Sequence, residues 1–246
     1  MSGKPILELK NVGLAYNEGR LRLWGRQRNW VLKDISFTLH EGETLGVIGR
    51  NGVGKSTLLQ LLAGIYTPDK GQIIRHTPGR ASLLSLNTGF VPHLTGRENA
   101  ILSGILLGLR RREIEALLDT ILDFSELGDF FEEPLRTYSS GMRARLGFSV
   151  AYHVRPEILL IDETLGVGYE NFKKKSTAAM KQRIQDDGTV ILVSHSAGTI
   201  RELCDHAVWI NEGVTQAQGE VEPVLKAYLA DQEDRRKRNA KLAIMR

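Results

Sequence analysis

The sequence predicts an α/β protein with a helical piece inserted at roughly residues 90–155. Three observations carry that expectation. Short apolar runs alternate with segments of helical period along most of the chain. A Gly-rich loop, Gly49–Ser56, joins one such run to a helix. From Gly96 to about Arg155 the pattern turns wholly helical.

Each element has its own signal. Ile6–Val12, Ile35–Leu39 and Thr44–Ile48 read as strands, with His40–Glu43 as a hairpin turn between the last two. Ser56–Ala63 reads as a helix closed by Gly64 at its C′ position. Ile73–Ile74 marks a short strand. Thr95 offers an N-cap with Glu98 three residues on, the pattern of a capping box, and helical periodicity follows over Glu98–Leu109 and Arg112–Leu122. Ile158–Ile161 is a continuous apolar run, as in a buried parallel strand. Tyr169–Gln185 is helical, Val190–Val193 a strand and Thr199–Cys204 a short helix. Ala207–Ile210 and Val214–Gln218 flank the turn Asn211-Glu212-Gly213 as a closing hairpin. Glu222–Ala230 is the final helix. The stretch beyond it, residues 233–246, is expected to be a basic, partly disordered tail.

Bulk properties exclude several classes. The 246 residues contain no apolar run near the ~18 residues a membrane span needs. The opening Met-Ser-Gly-Lys-Pro-Ile-Leu-Glu lacks the apolar region of a signal peptide. A single cysteine, Cys204, excludes an internal disulfide and suits a reducing compartment; its apolar setting reads as inert packing. The net charge of +4 is unevenly placed. Asn17–Trp30 carries four arginines against one glutamate, and Asp231–Arg246 six basic residues against three acidic ones. The body is near neutral, which is not the profile of a uniformly basic nucleic-acid binder.

Gly49-Arg50-Asn51-Gly52-Val53-Gly54-Lys55-Ser56 fits G-x-x-x-x-G-K-[ST]. Glycines let backbone N–H groups converge on an anion, and the following helix adds the positive end of its dipole. Gly49, Asn51, Gly52, Val53, Gly54, Lys55, Ser56 and Thr57 form the candidate nucleotide cradle, with Lys55 reaching the β- and γ-phosphates and Ser56 holding Mg²⁺. Asp162 and Glu163 end the Ile158–Ile161 strand, the edge at which open α/β sheets bind ligands. Asp162 is the candidate to orient the Mg²⁺ shell, and Glu163 to position or deprotonate the attacking water. His195 follows the Val190–Val193 strand and brings a neutral donor to the same edge as a γ-phosphate contact. Tyr138-Ser139-Ser140-Gly141-Met142 precedes a helix and reads either as an anion-binding nest or as a capped helix start.

In this order, Gly49–Ser56, Tyr138–Met142, Asp162-Glu163 and His195 resemble the Walker A, signature, Walker B and switch-histidine motifs of ATP-binding cassette (ABC) ATPases. The resemblance runs from about Leu7 to Ala230. It implies a P-loop NTPase cassette over residues 1–232, with a RecA-like core, an antiparallel β subdomain and the inserted helical subdomain. It implies ATP and Mg²⁺ as ligands, and two cassettes head to tail with an integral-membrane permease. Ser139, Ser140 and Gly141 would then contact the γ-phosphate held by the partner copy.

The variant signature resembles cassettes that export cell-surface polysaccharides: O antigen, capsule or teichoic acid. So do Phe90–Asn99, containing Leu94-Thr95-Gly96-Arg97-Glu98-Asn99, and Asp162–Gly168. The implied setting is the cytoplasmic face of the inner membrane, with a lipid-linked polysaccharide as substrate and no nucleic acid. Tyr16 resembles the aromatic residue that stacks on adenine, with Trp30 as its competitor. Ser85–Asn87 stand where the family's switch glutamine is sought, and Tyr169 where it usually has an aspartate. Asn17–Trp30 is read as a solvated hairpin or as a contact to anionic headgroups or a phosphate-bearing substrate. The end at Arg246 suggests a form without the glycan-binding domain that some of these exporters carry. Two competing readings are a soluble ABC ATPase acting on ribosomes or DNA, motivated by the basic patches, and a P-loop small-molecule kinase, which leaves Tyr138–Met142 unexplained.

Overall fold

A computed structural model of the chain describes residues 3–17, 28–79, 81–84, 89–162, 170–186 and 188–244. It divides into two units: Met1–Gly79 with Leu160–Glu163 and Asp187–Arg246, and Arg80–Leu159 with Thr164–Asp186.

The first unit is built on a mixed sheet. β1 (Pro5–Asn17) pairs antiparallel with β2 (Arg28–His40) on one side and β4 (Lys70–Arg75) on the other. β1 outruns the expected Ile6–Val12 because irregularities in its register with β2, one of them between Leu9 and Val12, interrupt the alternation without ending the pairing. β3 (Thr44–Ile48) is buried at every residue and lies parallel between β7 (Thr189–Ser194) and β8 (His206–Asn211). β9 (Val214–Glu220) closes an antiparallel hairpin with β8 through Glu212 and Gly213, both at positive φ, as the sequence predicts. The order through this unit is β4-β1-β2-β9-β8-β3-β7, and the last residues of β6 (Ile158–Asp162) lie beside β7.

The hairpin expected at His40–Glu43 does not form. A tight turn is present, with the Glu43 N–H donating to the His40 carbonyl at 3.2 Å. The strands it joins part company, however: β2 pairs with β1 and β9, whereas β3 inserts between β7 and β8. The cause is pattern. β2 alternates buried and partly buried residues, while the unbroken apolar β3 needs neighbours that bury both its faces.

α1 (Lys55–Leu62) ends at Ala63 with Gly64 at φ +78°, as expected. α6 (Ala197–Leu203) begins earlier than Thr199, because the Ser196 hydroxyl caps it by accepting from the Thr199 N–H. α7 (Val221–Ile244) overturns the expectation of a disordered tail: it continues past Ala230 through the basic run. Its first turns bury Val221, Val224, Leu225 and Tyr228 against Ile48, Ile200 and Ala207. Farther along, Arg235 pairs with Asp231 one turn back at 2.8 Å, so the charged segment carries its own helical support.

The second unit contains β5 (Ala81–Leu83), α2 (Gly96–Leu106), α3 (Arg111–Ser125), α4 (Ser140–His153) and α5 (Glu170–Gln185). The capping box at Thr95 and Glu98 is present with both reciprocal bonds. α2 stops at Leu106 rather than Leu109, ahead of Gly108 at φ +107°. Ala100, Ile114, Leu118, Ile121, Leu146 and Val150 form the core between α2, α3 and α4. Arg183 of α5 donates to the carbonyls of Ala151, Tyr152 and Val154 at the end of α4; burial lowers its pKa to about 10. Among the described residues no helix is long and apolar enough to cross a membrane.

Candidate nucleotide-binding site

β3 delivers the chain into the phosphate loop at the C-terminal edge of the sheet. Gly52 and Gly54 take φ values of +82° and +97°, a region that side chains resist. A Cβ on Gly54 would stand 2.8 Å from Leu32 Cδ2, and one on Gly49 2.5 Å from the Ile210 carbonyl oxygen. At Gly49 the backbone of β8 leaves no room for a side chain, whereas at Gly52 and Gly54 the positive φ is what favours glycine. Lys55 opens α1 and is only 7% exposed. Its ammonium donates to the carbonyls of Gly49 at 2.9 Å and Arg50 at 3.0 Å, so the cation is held over the loop that it serves. No acidic residue occupies the first turn of α1, which leaves its N-terminal field positive.

Parallel register brings the end of β7, and His195 after it, level with the start of the phosphate loop. Ile48, the residue before Gly49, is opposite Ser194 on β7 and Trp209 on β8. His195 follows Ser194 and is exposed. Asp162 ends β6, beside β7, and is half-buried. Ser56 is exposed on the first turn of α1. A hydroxyl and a carboxylate are hard oxygen donors of the type that Mg²⁺ takes together with water and phosphate oxygens. Among the described residues there is no group of three or more His, Cys, Asp or Glu fit to hold a metal by itself. The donor set thus fits an ion that arrives with a phosphate.

Tyr16 stands near the start of α1. Its hydroxyl shares a 3.3 Å hydrogen bond with Thr57 Oγ1, and its ring stands nearly perpendicular to that of Tyr66 with 5.8 Å between centroids. Tyr16 is 38% exposed, so the residue is accessible to a ligand. Trp30, the competitor, pairs across from Ala15, lies under the Lys70 ammonium at 5.6 Å, and lines a groove of about 600 Å³ with Arg50, Asn51, Glu212 and Arg235. The presence of α7 beside the phosphate loop, through Arg235, was not legible from the sequence. Glu163, Tyr169, Ser85–Asn87 and residues 18–27 of the basic segment lie outside the described residues.

The signature turn belongs to the second unit. Ser139 is the N-cap of α4, its hydroxyl accepting from the Met142 N–H at 3.2 Å. Ser140 and Gly141 form the first turn; both serines are exposed and Gly141 is buried. The two readings of Tyr138–Met142 are compatible: a capped helix start still offers its first amides and two hydroxyls to an anion. Asn99 is a positioning residue that sequence reasoning missed. It is fully buried; its Oδ1 accepts from the Val91 N–H, and its Nδ2 donates to the carbonyls of Val91, Leu94 and Thr95. The sequence marked it only as an amide among apolar helix positions and as the end of the Leu94–Asn99 stretch.

A glycine-lined loop between a buried central strand and a helix, with a carboxylate and a histidine closing neighbouring strands, defines an α/β P-loop nucleotide-binding fold. The family model described as ABC transporter matches residues 32–166, and the chain belongs to that family. An O-antigen export system ATP-binding protein of Myxococcus xanthus is 50% identical over 199 residues, covering 80% of this chain and 45% of that protein. One from Klebsiella pneumoniae is 46% identical, covering 80% of each. A teichoic acids export ATP-binding protein of Enterococcus faecalis is 43% identical over 82% of this chain and 44% of its own length. The chain thus spans less than half of two of these relatives.

Solved structures agree on the fold. An ATP-binding subunit of an ABC transporter superposes with a TM-score of 0.70 at 23% identity, covering 91% of this chain and 93% of that one. A dimeric ATP-binding cassette bound to ADP and Pi gives 0.67 at 21%, covering 88% and 99%.

Proposed function

We propose that the chain is the ATP-hydrolysing subunit of a transporter that exports a lipid-linked cell-surface polysaccharide, O antigen in the first place and capsule or teichoic acid as the alternative. The observation that carries the reading is the phosphate loop, with Lys55 buried at its centre and Asp162 and His195 at the ends of nearby strands. The exporter relatives supply the substrate class.

In this reading the amides of Gly52–Lys55 cradle the phosphates and Lys55 bridges the β- and γ-oxygens. Tyr16 stacks on the adenine. Ser56 and Asp162 would hold Mg²⁺, which would supply positive charge to the phosphate oxygens. Glu163 orients the attacking water and His195 contacts the γ-phosphate. Ser139, Ser140 and Gly141 of a second copy complete the site. Two cassettes sit on the cytoplasmic face of the inner membrane against two permease subunits, without nucleic acid, and closure around ATP pushes on the permease.

Deletion of the gene tests the reading. The expected phenotype is loss of the surface glycan with its lipid-linked form accumulating in the cytosolic leaflet. Normal surface glycan, or nucleic acid co-purifying in place of a multi-span membrane subunit, would refute it.

A further inference from the structure

We propose that Tyr138 and Gly96 form a lock that positions the signature turn, with the Tyr138 hydroxyl tying Ser139–Gly141 to the start of α2. The proposal rests on the reading of that turn as a nucleotide contact.

Tyr138 directly precedes the N-cap of α4 and is 4% exposed. Its ring is part of the core made with Phe131, Leu135, Leu146 and Val150. Burial of the ring needs no oxygen; phenylalanine would fill the same space. The hydroxyl instead donates to the Phe130 carbonyl at 2.5 Å. Burial pushes the phenol up to about 12, so it stays a donor across the physiological range.

Phe130 begins a strap fastened along its length to the loop before α2. The Leu135 N–H donates to the Leu94 carbonyl at 2.9 Å, and the Arg136 N–H to the Pro92 carbonyl at 2.8 Å. The Gly96 N–H donates to the Glu133 carbonyl at 3.2 Å, and Thr95 bridges Pro134. Asn99 pins the other side of that loop. Gly96 sits where the strap, α2 and the tyrosine meet. A Cβ there would collide with the Tyr138 hydroxyl and stand 2.8 Å from the Phe131 carbonyl oxygen. Glycine at 96 is therefore a condition for a tyrosine at 138. The chain also explains why an aromatic phenol opens this signature: it carries the position of α2 and its strap to the residue next to Ser139.

Backbone amide exchange at Ser140–Met142 on the full chain, followed by ATP kinetics, tests the lock. Tyr138→Phe keeps the ring and removes the bond, so exchange at Met142 should rise about five- to tenfold, as expected for one lost hydrogen bond. ATP turnover should fall by a similar factor, while nucleotide affinity, set by the phosphate loop, stays within about twofold. Gly96→Ala should be more damaging. It should cost less when introduced into Tyr138→Phe than into the parent, because one of the two clashes is then gone. Unchanged exchange at Met142, ATP affinity falling in step with turnover, or strictly additive effects in the double variant would each overturn the lock. Failure of the parent chain to bind ATP would instead refute the functional reading, and the exchange arm would still decide whether the lock exists.

Discussion

Replacing Lys55 with methionine separates what this residue does for the fold from what it does for the ligand. In the structure the ammonium donates to the Gly49 and Arg50 carbonyls at 2.9 and 3.0 Å and is 7% exposed. Losing the amine takes a donor from two loop carbonyls, a cost of about 1 kcal/mol each, and relieves the desolvation of a buried cation. These contributions oppose each other, so melting in the absence of nucleotide should change by only a few degrees. Binding has no such compensation. A charge-assisted hydrogen bond to phosphate is worth about 1.5–3 kcal/mol, so the ATP dissociation constant should rise roughly 10- to 150-fold. Titration calorimetry with Mg-ATP on parent and variant reads this directly. A dissociation constant within twofold of the parent's, for a variant that melts normally, would mean that Lys55 does not meet the phosphates.

Two further outcomes follow from buried groups. Asn99→Ala leaves the Val91 N–H and the Leu94 and Thr95 carbonyls without their side-chain partner, and should lower stability by roughly 2–4 kcal/mol in denaturant titrations. Desolvation, with Asp205 adding to it, raises the Cys204 thiol to about 12. The unfolded thiol ionises at its ordinary, lower value, so unfolding releases a proton in the window between the two. Stability is complete below that ordinary value and declines as pH rises toward 12. Cys204→Ala should flatten this alkaline decline by about 1.4 kcal/mol per pH unit, and an equal slope in both proteins would contradict the assignment.

The elements legible in the sequence are those fixed by local chemistry. β3 shows as an apolar run between polar turns, α2 through its capping box, the β8–β9 hairpin through Glu212-Gly213, and the phosphate loop through its glycines and lysine. Partner choice was not legible. The tight turn at His40–Glu43 looks like a hairpin turn until the sheet order separates β2 from β3, a non-local matter of which strand buries which face. The basic tail reads as solvated charge, yet i,i+4 pairing at Asp231 and Arg235 carries α7 through it. At the candidate site, motif spacing picks out Lys55, Ser56, Asp162 and His195, because each stands at a strand end or a helix start. Asn99 and Tyr138 work through hydrogen bonds to carbonyls four to eight residues away, and Gly96 through an empty volume; local periodicity encodes neither.

In the proposed mechanism ATP joins two copies, each giving the other a signature turn. Sedimentation of the Glu163→Gln chain with and without Mg-ATP tests this most directly, since slowed hydrolysis should keep the nucleotide in place. The predicted result is a shift from the 27.4 kDa chain to twice that mass only when Mg-ATP is present. A species that binds ATP in calorimetry yet sediments as a single chain at every nucleotide concentration would contradict it.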